Sequence, residues 1–389
     1  MNVSAPRESA DVVVIGAGII GACCALELAR AGRSVVVVDR GAIASGTTRS
    51  GEGNLLVSDK LPGPELDLAV ASNVMWQQLA DELATDFELE HKGGLVVARS
   101  EADAVALRAL GLQQQAAGIR CEPLQPDQLR SFEPELTADA VLGMSYPDDA
   151  QVQPMRACAA ILRAAAERGV DIRLHAAVQD LRRDTTGAIS GVVTSNGTIA
   201  TACAVNATGP WANELAALAG SSIPVAPRRG FVLVTEPAAA LIRHKVYSTS
   251  YVDDVGSDEA GARLSPVVEG TRAGTILIGS SRERIGFDRT VDMAIVRRMA
   301  AEAMALFPAL GRLNIIRVYG GFRPASADHL PLIGWDTRVE GLLHATGHEG
   351  AGIGLAPATG QLVAALVAGV SPVVDPAPFA PARFATVAA

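Results

Sequence analysis

Aromatic residues make up only 4% of this 389-residue sequence, so a core built on stacked rings is not expected. The 38 glycines point instead to tight turns and close backbone approach. Clustered positive charge is also missing. The 33 Lys and Arg are outnumbered by 42 Asp and Glu, giving a formal net charge of -9. Neutralising phosphates needs grouped cations, which excludes general nucleic-acid binding. The five cysteines, Cys23, Cys24, Cys121, Cys158 and Cys203, form no CxxC pair and no zinc or iron–sulfur spacing. They read as reduced thiols of a cytoplasmic protein. His91, His175, His244, His329 and His344 lack ligand spacing, so no metal is expected. The apolar run over residues 12–26 is too short to span a bilayer and carries three glycines. The first ten residues are polar, so no secretory signal is expected. Direct membrane insertion is not expected either, and any membrane association would run through a partner.

The length favours two domains. At the start, DVVVIG is a β-branched run, GAG a turn, and IIGACCALELARAG a helix closed by Gly32. SVVVVD then reads as a second buried strand, completing a β-α-β unit. Residues 41–56 read as a loop and 64–83 as a helix. A different pattern of strands and charged helices follows to about Asp149. A helix over 155–169 and the strands DIRLH, GVVTS and ATACAVNATG restore the apolar character of the N-terminus. Strands FVLVTE and TILIGS and a helix near 291–307 come next, and the tail from 341 reads strand, glycine turn, helix. Alternation of the two patterns implies interleaved domains: 1–83, 150–220 and 318–389 in a cofactor domain, 84–149 and 221–317 in a substrate domain.

Gly16-Ala-Gly18-Ile19-Ile20-Gly21 falls between strand and helix, the context that a dinucleotide fingerprint requires. The first glycine makes the turn, the second admits a pyrophosphate to the backbone, and the third lets helix pack on strand. The helix N-terminus supplies amides and a positive dipole end. Asp39 ends the second strand 23 positions after Gly16, where a carboxylate can accept from a ribose hydroxyl, with Arg40 beside it. This motif alone does not separate FAD from NAD.

Four further segments bear on that choice: SGTTRSGEGN (45–54), VNATGPWANEL (205–215), GGFRPASADHLPLIG (320–334) and GHEGAGIGLAPATG (347–360). With the fingerprint, and in this order, they resemble the FAD-dependent D-amino-acid oxidase superfamily over nearly the whole chain. The likeness is to its branch with glycine oxidase, sarcosine oxidase and the flavin subunits of D-hydroxyproline dehydrogenase, opine oxidase and hydrogen cyanide synthase. The resemblance implies an α/β fold, in which a Rossmann-like FAD-binding domain of the glutathione-reductase type is interleaved with an α+β substrate domain on a mixed or antiparallel sheet. It also implies noncovalent FAD, since the context of a covalent flavin cysteine is absent.

The same resemblance assigns roles by position. Ser45, Thr47, Thr48, Ser50, Gly51, Glu52, Gly53 and Asn54 match the loop running from pyrophosphate to isoalloxazine. Ala207, Thr208, Gly209 and Trp211 match the second FAD strand and turn, with Val178 also expected at the cofactor. Gly347, Gly350, Ala351, Gly352, Ile353 and Gly354 match the closing turn, whose amides would stabilise negative charge on reduced flavin. Arg323 stands where the family carries its carboxylate-binding arginine. Glu52, His348 and Glu349 are polar residues inside cofactor motifs, the first two being candidates for catalysis. Tyr247 and Tyr251 lie where relatives carry a substrate-facing tyrosine, while Trp76 and Trp335 read as packing residues.

The implied activity is oxidation of the C–N bond of a small amino acid or secondary amine. The GEGN and GHEG spellings resemble the multisubunit dehydrogenases, which implies electron transfer to flavin or iron–sulfur partner subunits. An oxygen-using oxidase, a silent FAD-binding subunit and an NAD-dependent dehydrogenase remain as alternatives.

Overall fold

Val12–Ile15 and Val35–Val38 consist only of β-branched residues and are wholly buried, as central strands of a parallel sheet covered on both faces must be. A computed structural model describes residues 7–238, 240–250 and 263–387. In it these two strands lie side by side in the interior of a six-stranded sheet. Its order is Leu332–Trp335, Leu342–Thr346, Ala204–Asn206, Val12–Ile15, Val35–Val38, Asp171–Arg173. All pairings are parallel except that of Leu332–Trp335 with Leu342–Thr346.

A second sheet has eight strands, in the order Ile315–Ser326, Val225–Thr235, Ile276–Arg282, Arg263–Gly270, Lys245–Ser248, Gly94–Ala98, Leu142–Tyr146, Glu122–Leu124. It is antiparallel apart from the pairing of Lys245–Ser248 with Gly94–Ala98. The mixed α/β architecture expected from the sequence is therefore present. The expected boundary at 318 falls inside Ile315–Ser326, a strand that belongs wholly to the second sheet.

Two helices cover the first sheet on the side that carries the fingerprint. Ile19–Arg30 follows Gly18, carries Arg30 in its last turn where a cation suits the dipole, and ends before Gly32 at φ +76°. Gly352–Ala368 packs across it. A Cβ on Gly360 would lie 2.6 Å from the Cys23 carbonyl carbon and oxygen, so only glycine lets these two backbones meet.

Gly352–Ala368 also contains Pro357, which has no N–H for the carbonyl of Ile353 one turn back. The freed carbonyl is taken by the buried indole of Trp76, whose Nε1–H donates to Ile353 O and Gly354 O at 3.2 Å each. Ser72 Oγ donates to Gly354 O and accepts from Ala358 N. Pro64–Glu82 thus holds the first turn of the last helix in place. All five cysteines are buried and free. Among the described residues no helix is long and apolar enough to cross a membrane.

Candidate active site

A cavity of about 550 Å³ runs between the two sheets, and every segment expected to hold the cofactor contributes to its wall. At one end the fingerprint turn is set by backbone contact. Gly16 has φ +119°, and a Cβ there would lie 2.4 Å from Ala207 O. A Cβ on Gly21 would lie 1.9 Å from Gly16 O, which explains why Gly21 stands behind the wall rather than on it. Asp39 lines the cavity and organises the turn, its two oxygens accepting from Ala17 N and Gly41 N at 2.7 Å. Arg40 lies over the Trp211 ring at 4.2 Å, and Trp211 stacks on Phe287.

The 45–54 loop is fastened to both neighbours. Thr48 Oγ1 accepts from Ile19 N at the start of the first helix, 3.1 Å away. Thr47 and Ser50 donate to the carbonyls of Phe322 (2.7 Å) and Gly320 (3.2 Å) on the edge strand of the second sheet. Across the cavity, Gly350, Gly352 and Ile353 line the wall where the last helix begins, and that helix has no side-chain N-cap. Gly347, Ala351 and Gly354 lie behind; a Cβ on Gly354 would stand 3.2 Å from Asn54 O. The remaining expected cofactor residues all line the cavity. Close-packed glycines, a phosphate-ready turn and an uncapped helix start fit a flavin dinucleotide.

Arg323 meets this cofactor wall from the second sheet. Its Nη1 donates to Ser281 O at 2.8 Å. A Cβ on Gly230 would lie 2.0 Å from Nη1, and one on Gly350 would lie 3.6 Å from Nε. The guanidinium therefore rests over one strand, beside the turn that opens the last helix. Glu349, in that turn at φ +46°, is held by ion pairs to buried Arg228 and to His329 Nδ1 (2.9 Å) and by Glu349 N donating to Pro324 O (2.9 Å). Burial would raise its carboxyl, but these two partners lower it.

Glu52 is buried on the cavity wall, and its Oε1 has no hydrogen-bond partner. A Cβ on Gly279 would lie 2.2 Å from that oxygen. Desolvation raises the Glu52 carboxyl; Lys245 opposes this, Glu269 adds to it, and Arg323 and a hydrogen bond from Asn54 oppose it further. Behind Glu52, Lys245 Nζ donates to Asn54 Oδ1 and pairs with Glu269 Oε2 at 2.7 Å. Sequence reasoning missed Lys245, Glu269, Gly230 and Gly279. The isolated glycines inside strands were the available signal, since such positions mark close approach.

His348 lines the cavity but is built for support. Thr359 Oγ1 gives its proton to Leu355 O (2.8 Å), so His348 Nε2 must be the donor to Thr359 Oγ1 (3.0 Å). Burial lowers its pKa to about 3, which keeps the ring neutral and unsuited to acid–base work near neutrality. Tyr247, expected to face substrate, does not reach the cavity. It is fully buried, and its hydroxyl donates to Ser58 Oγ, away from the wall. Tyr251 lies outside the described residues.

The sequence matches the DAO family, FAD-dependent oxidoreductases, over residues 11–366. Glycine oxidase of Geobacillus kaustophilus is 31% identical, covering 96% of this chain and 97% of its own. Hydrogen cyanide synthase subunit HcnC of Pseudomonas aeruginosa is also 31% identical, covering 96% of both chains. The crystal structure of L-proline dehydrogenase from P. horikoshii superposes with a TM-score of 0.89 at 26% identity, covering 98% of this chain and 99% of that one. Cavity, glycine turns and sequence agree: the chain belongs to the DAO family of FAD-dependent oxidoreductases, among enzymes of amino-acid and amine oxidation.

Proposed function

We propose that this enzyme oxidises the CH–NH bond of a small amino acid or secondary amine, such as glycine, sarcosine, a D-amino acid, D-proline, D-hydroxyproline or an opine. The observation that carries this reading is Arg323, a guanidinium on the cavity wall next to Gly350. Bound FAD supplies the hydride acceptor. The chain's own task is then orientation and charge. Arg323 takes the substrate carboxylate with charge-assisted hydrogen bonds, which fixes the α-carbon against the cofactor. The uncapped start of Gly352–Ala368 offers amides and a positive dipole end to negative charge developing nearby. The product imine leaves and is hydrolysed in water.

As electron acceptor we favour partner subunits carrying flavin or iron–sulfur groups. The GEGN and GHEG spellings and the similarity to HcnC, itself named as a subunit, support this. The similarity to glycine oxidase favours a second reading, in which oxygen is the acceptor and hydrogen peroxide the product. An anaerobic screen of amino acids for bleaching of the bound flavin tests the reaction, and oxygen against an artificial dye then tests the acceptor. Failure of every amino acid and amine to bleach the flavin would sink the proposal. Arg323→Ala is expected to lower kcat/KM by 10- to 150-fold, about 1.5–3 kcal/mol, and near-native kinetics would remove its assignment.

A further inference from the structure

The cavity wall carries one exposed cation that the reading above leaves unused. Arg289 lines it from the segment 283–292, which joins the Ile276–Arg282 strand to the Met293–Leu306 helix. Among the described residues its guanidinium has no hydrogen bond and no carboxylate partner, and it lies 6.0 Å from the Phe322 ring. The backbone on either side of it is fixed all the same. Buried Arg229 pairs with Glu283 through Nε (2.9 Å) and Nη2 (3.0 Å), and its Nη1 donates to Asp288 O (3.2 Å) and Thr290 O (2.8 Å).

The same segment reaches across to the cofactor half. Phe287 stacks on Trp211 with centroids 5.3 Å apart and planes 3° from parallel, and it meets Phe322 edge-on at 5.2 Å. Trp211 and Phe322 both line the cavity. These rings close on the 45–54 loop where it meets the fingerprint helix. Thr47 donates to Phe322 O, a Cβ on Gly46 would stand 3.5 Å from Trp211, and Thr48 accepts from Ile19 N. That helix start is where the phosphates of a dinucleotide belong, so the unpaired cation and the anion it lacks meet at one end of the cavity.

We propose that segment 283–292 is a clasp that retains the cofactor: Arg289 supplies positive charge to the diphosphate of bound FAD, and the Phe287–Trp211 stack keeps the segment closed over it. The two parts act together. Arg229 sets the base of the segment, the stacked rings set its far end, and Arg289 lies between them on the cavity side. Release of FAD then requires the rings to part and the charge to withdraw. The inference concerns cofactor retention and holds whichever amine is oxidised.

The test follows release of radiolabelled FAD from the loaded enzyme into a chase of excess unlabelled FAD, at several salt concentrations. Arg289→Gln should release FAD about 5- to 50-fold faster at low salt, the scale of a charge-assisted hydrogen bond at a partly exposed site. An exposed charge pair is screened, so native release should quicken as salt rises and approach that of Arg289→Gln, whose own rate should depend on salt less steeply. Arg289→Lys keeps the charge and should keep the native salt dependence. Phe287→Ala should release FAD at least about threefold faster, whereas Phe287→Tyr, which keeps the flat ring, should stay within about twofold of native. Because charge and stack serve one clasp, the two losses combined in Arg289→Gln/Phe287→Ala should fall short of their product. The Tm of each variant with saturating FAD checks that it is folded, and the conservative Lys and Tyr variants carry the test if the others are not. Release within about twofold of native in both Arg289→Gln and Phe287→Ala would overturn the proposal. So would faster release from Arg289→Gln with the native salt dependence intact, since the charge would then not be what holds FAD.

Discussion

Replacing Trp76 by Phe removes one shared indole donor from the helix start that faces the cofactor. Pro357 leaves Ile353 O without its intrahelical donor, and the Trp76 indole supplies one at 3.2 Å. The phenyl ring keeps much of the packing but strands a buried carbonyl, at a cost of about 1–3 kcal/mol. A smaller ring also leaves a void worth about 1 kcal/mol. A double-mutant cycle separates the two terms. Pro357→Ala restores an N–H one turn after Ile353, so in that background Trp76→Phe loses only packing and should cost at least about 1 kcal/mol less. Urea unfolding of the four proteins gives the cycle, and because Ile353 lines the cavity, FAD release from Trp76→Phe should be faster than from the native enzyme. Equal costs of Trp76→Phe in both backgrounds would refute the pairing of the proline with the indole.

Three other substitutions probe the site and its frame. Gly279→Ala brings a methyl to 2.2 Å from the buried Glu52 Oε1 and should destabilise by about 1–3 kcal/mol, seen as a lower Tm; an unchanged Tm would count against the close seat described for Glu52. Gly360→Ala forces the first and last helices apart at Cys23 and should destabilise by a similar amount, seen as a lower Tm; an unchanged Tm would mean that the helices can shift freely. Burial would raise Asp336, yet hydrogen bonds from His344 (2.8 Å) and Ser221 lower it to about 2. Its contribution, about 2 kcal/mol, is complete above the unfolded pKa near 3.8 and is lost as pH falls from there to about 2. Asp336→Asn should flatten that part of the stability–pH curve, and an unaltered acid limb would disprove the linkage.

Much of the cofactor wall was legible because its constraints are local. A strand, a glycine turn and a helix start lie within a dozen residues, and each leaves a mark in sequence. The second sheet was harder to read, for its partners come from far apart: Lys245 serves Asn54 from a strand 191 positions away. Tyr247 shows the limit of reading by position. It shares a strand face with Lys245, but Lys245 ends at Asn54 beside the cavity, whereas Tyr247 ends at Ser58, four residues further along the same segment. The FRP motif misled in another way. It reads as part of the cofactor tail, yet Arg323 stands opposite Arg228 in the middle of the second sheet's edge pairing.

The glycines divide along the same line. In the cofactor half they admit backbone to backbone: Gly16 to Ala207 O, Gly53 to Val152 O, Gly360 to Cys23. Such contacts belong to turns and helix crossings, whose motifs carry their own spacing. In the second sheet, three glycines instead make room for ionisable groups. Gly230 lies under the Arg323 guanidinium, Gly279 under the Glu52 carboxylate, and Gly94 under Asp149, whose Oδ2 would be 2.1 Å from an added Cβ. Asp149 is buried, which raises it to about 7, while Ser58 and the Val57 amide hold it in place. A strand without a side chain at these points presents a flat floor on which an ionisable group from another element can be fixed. The chemistry of the cavity therefore depends on residues that do none of it, and a methyl added at position 230 should disturb the Arg323 guanidinium while leaving the fingerprint turn intact.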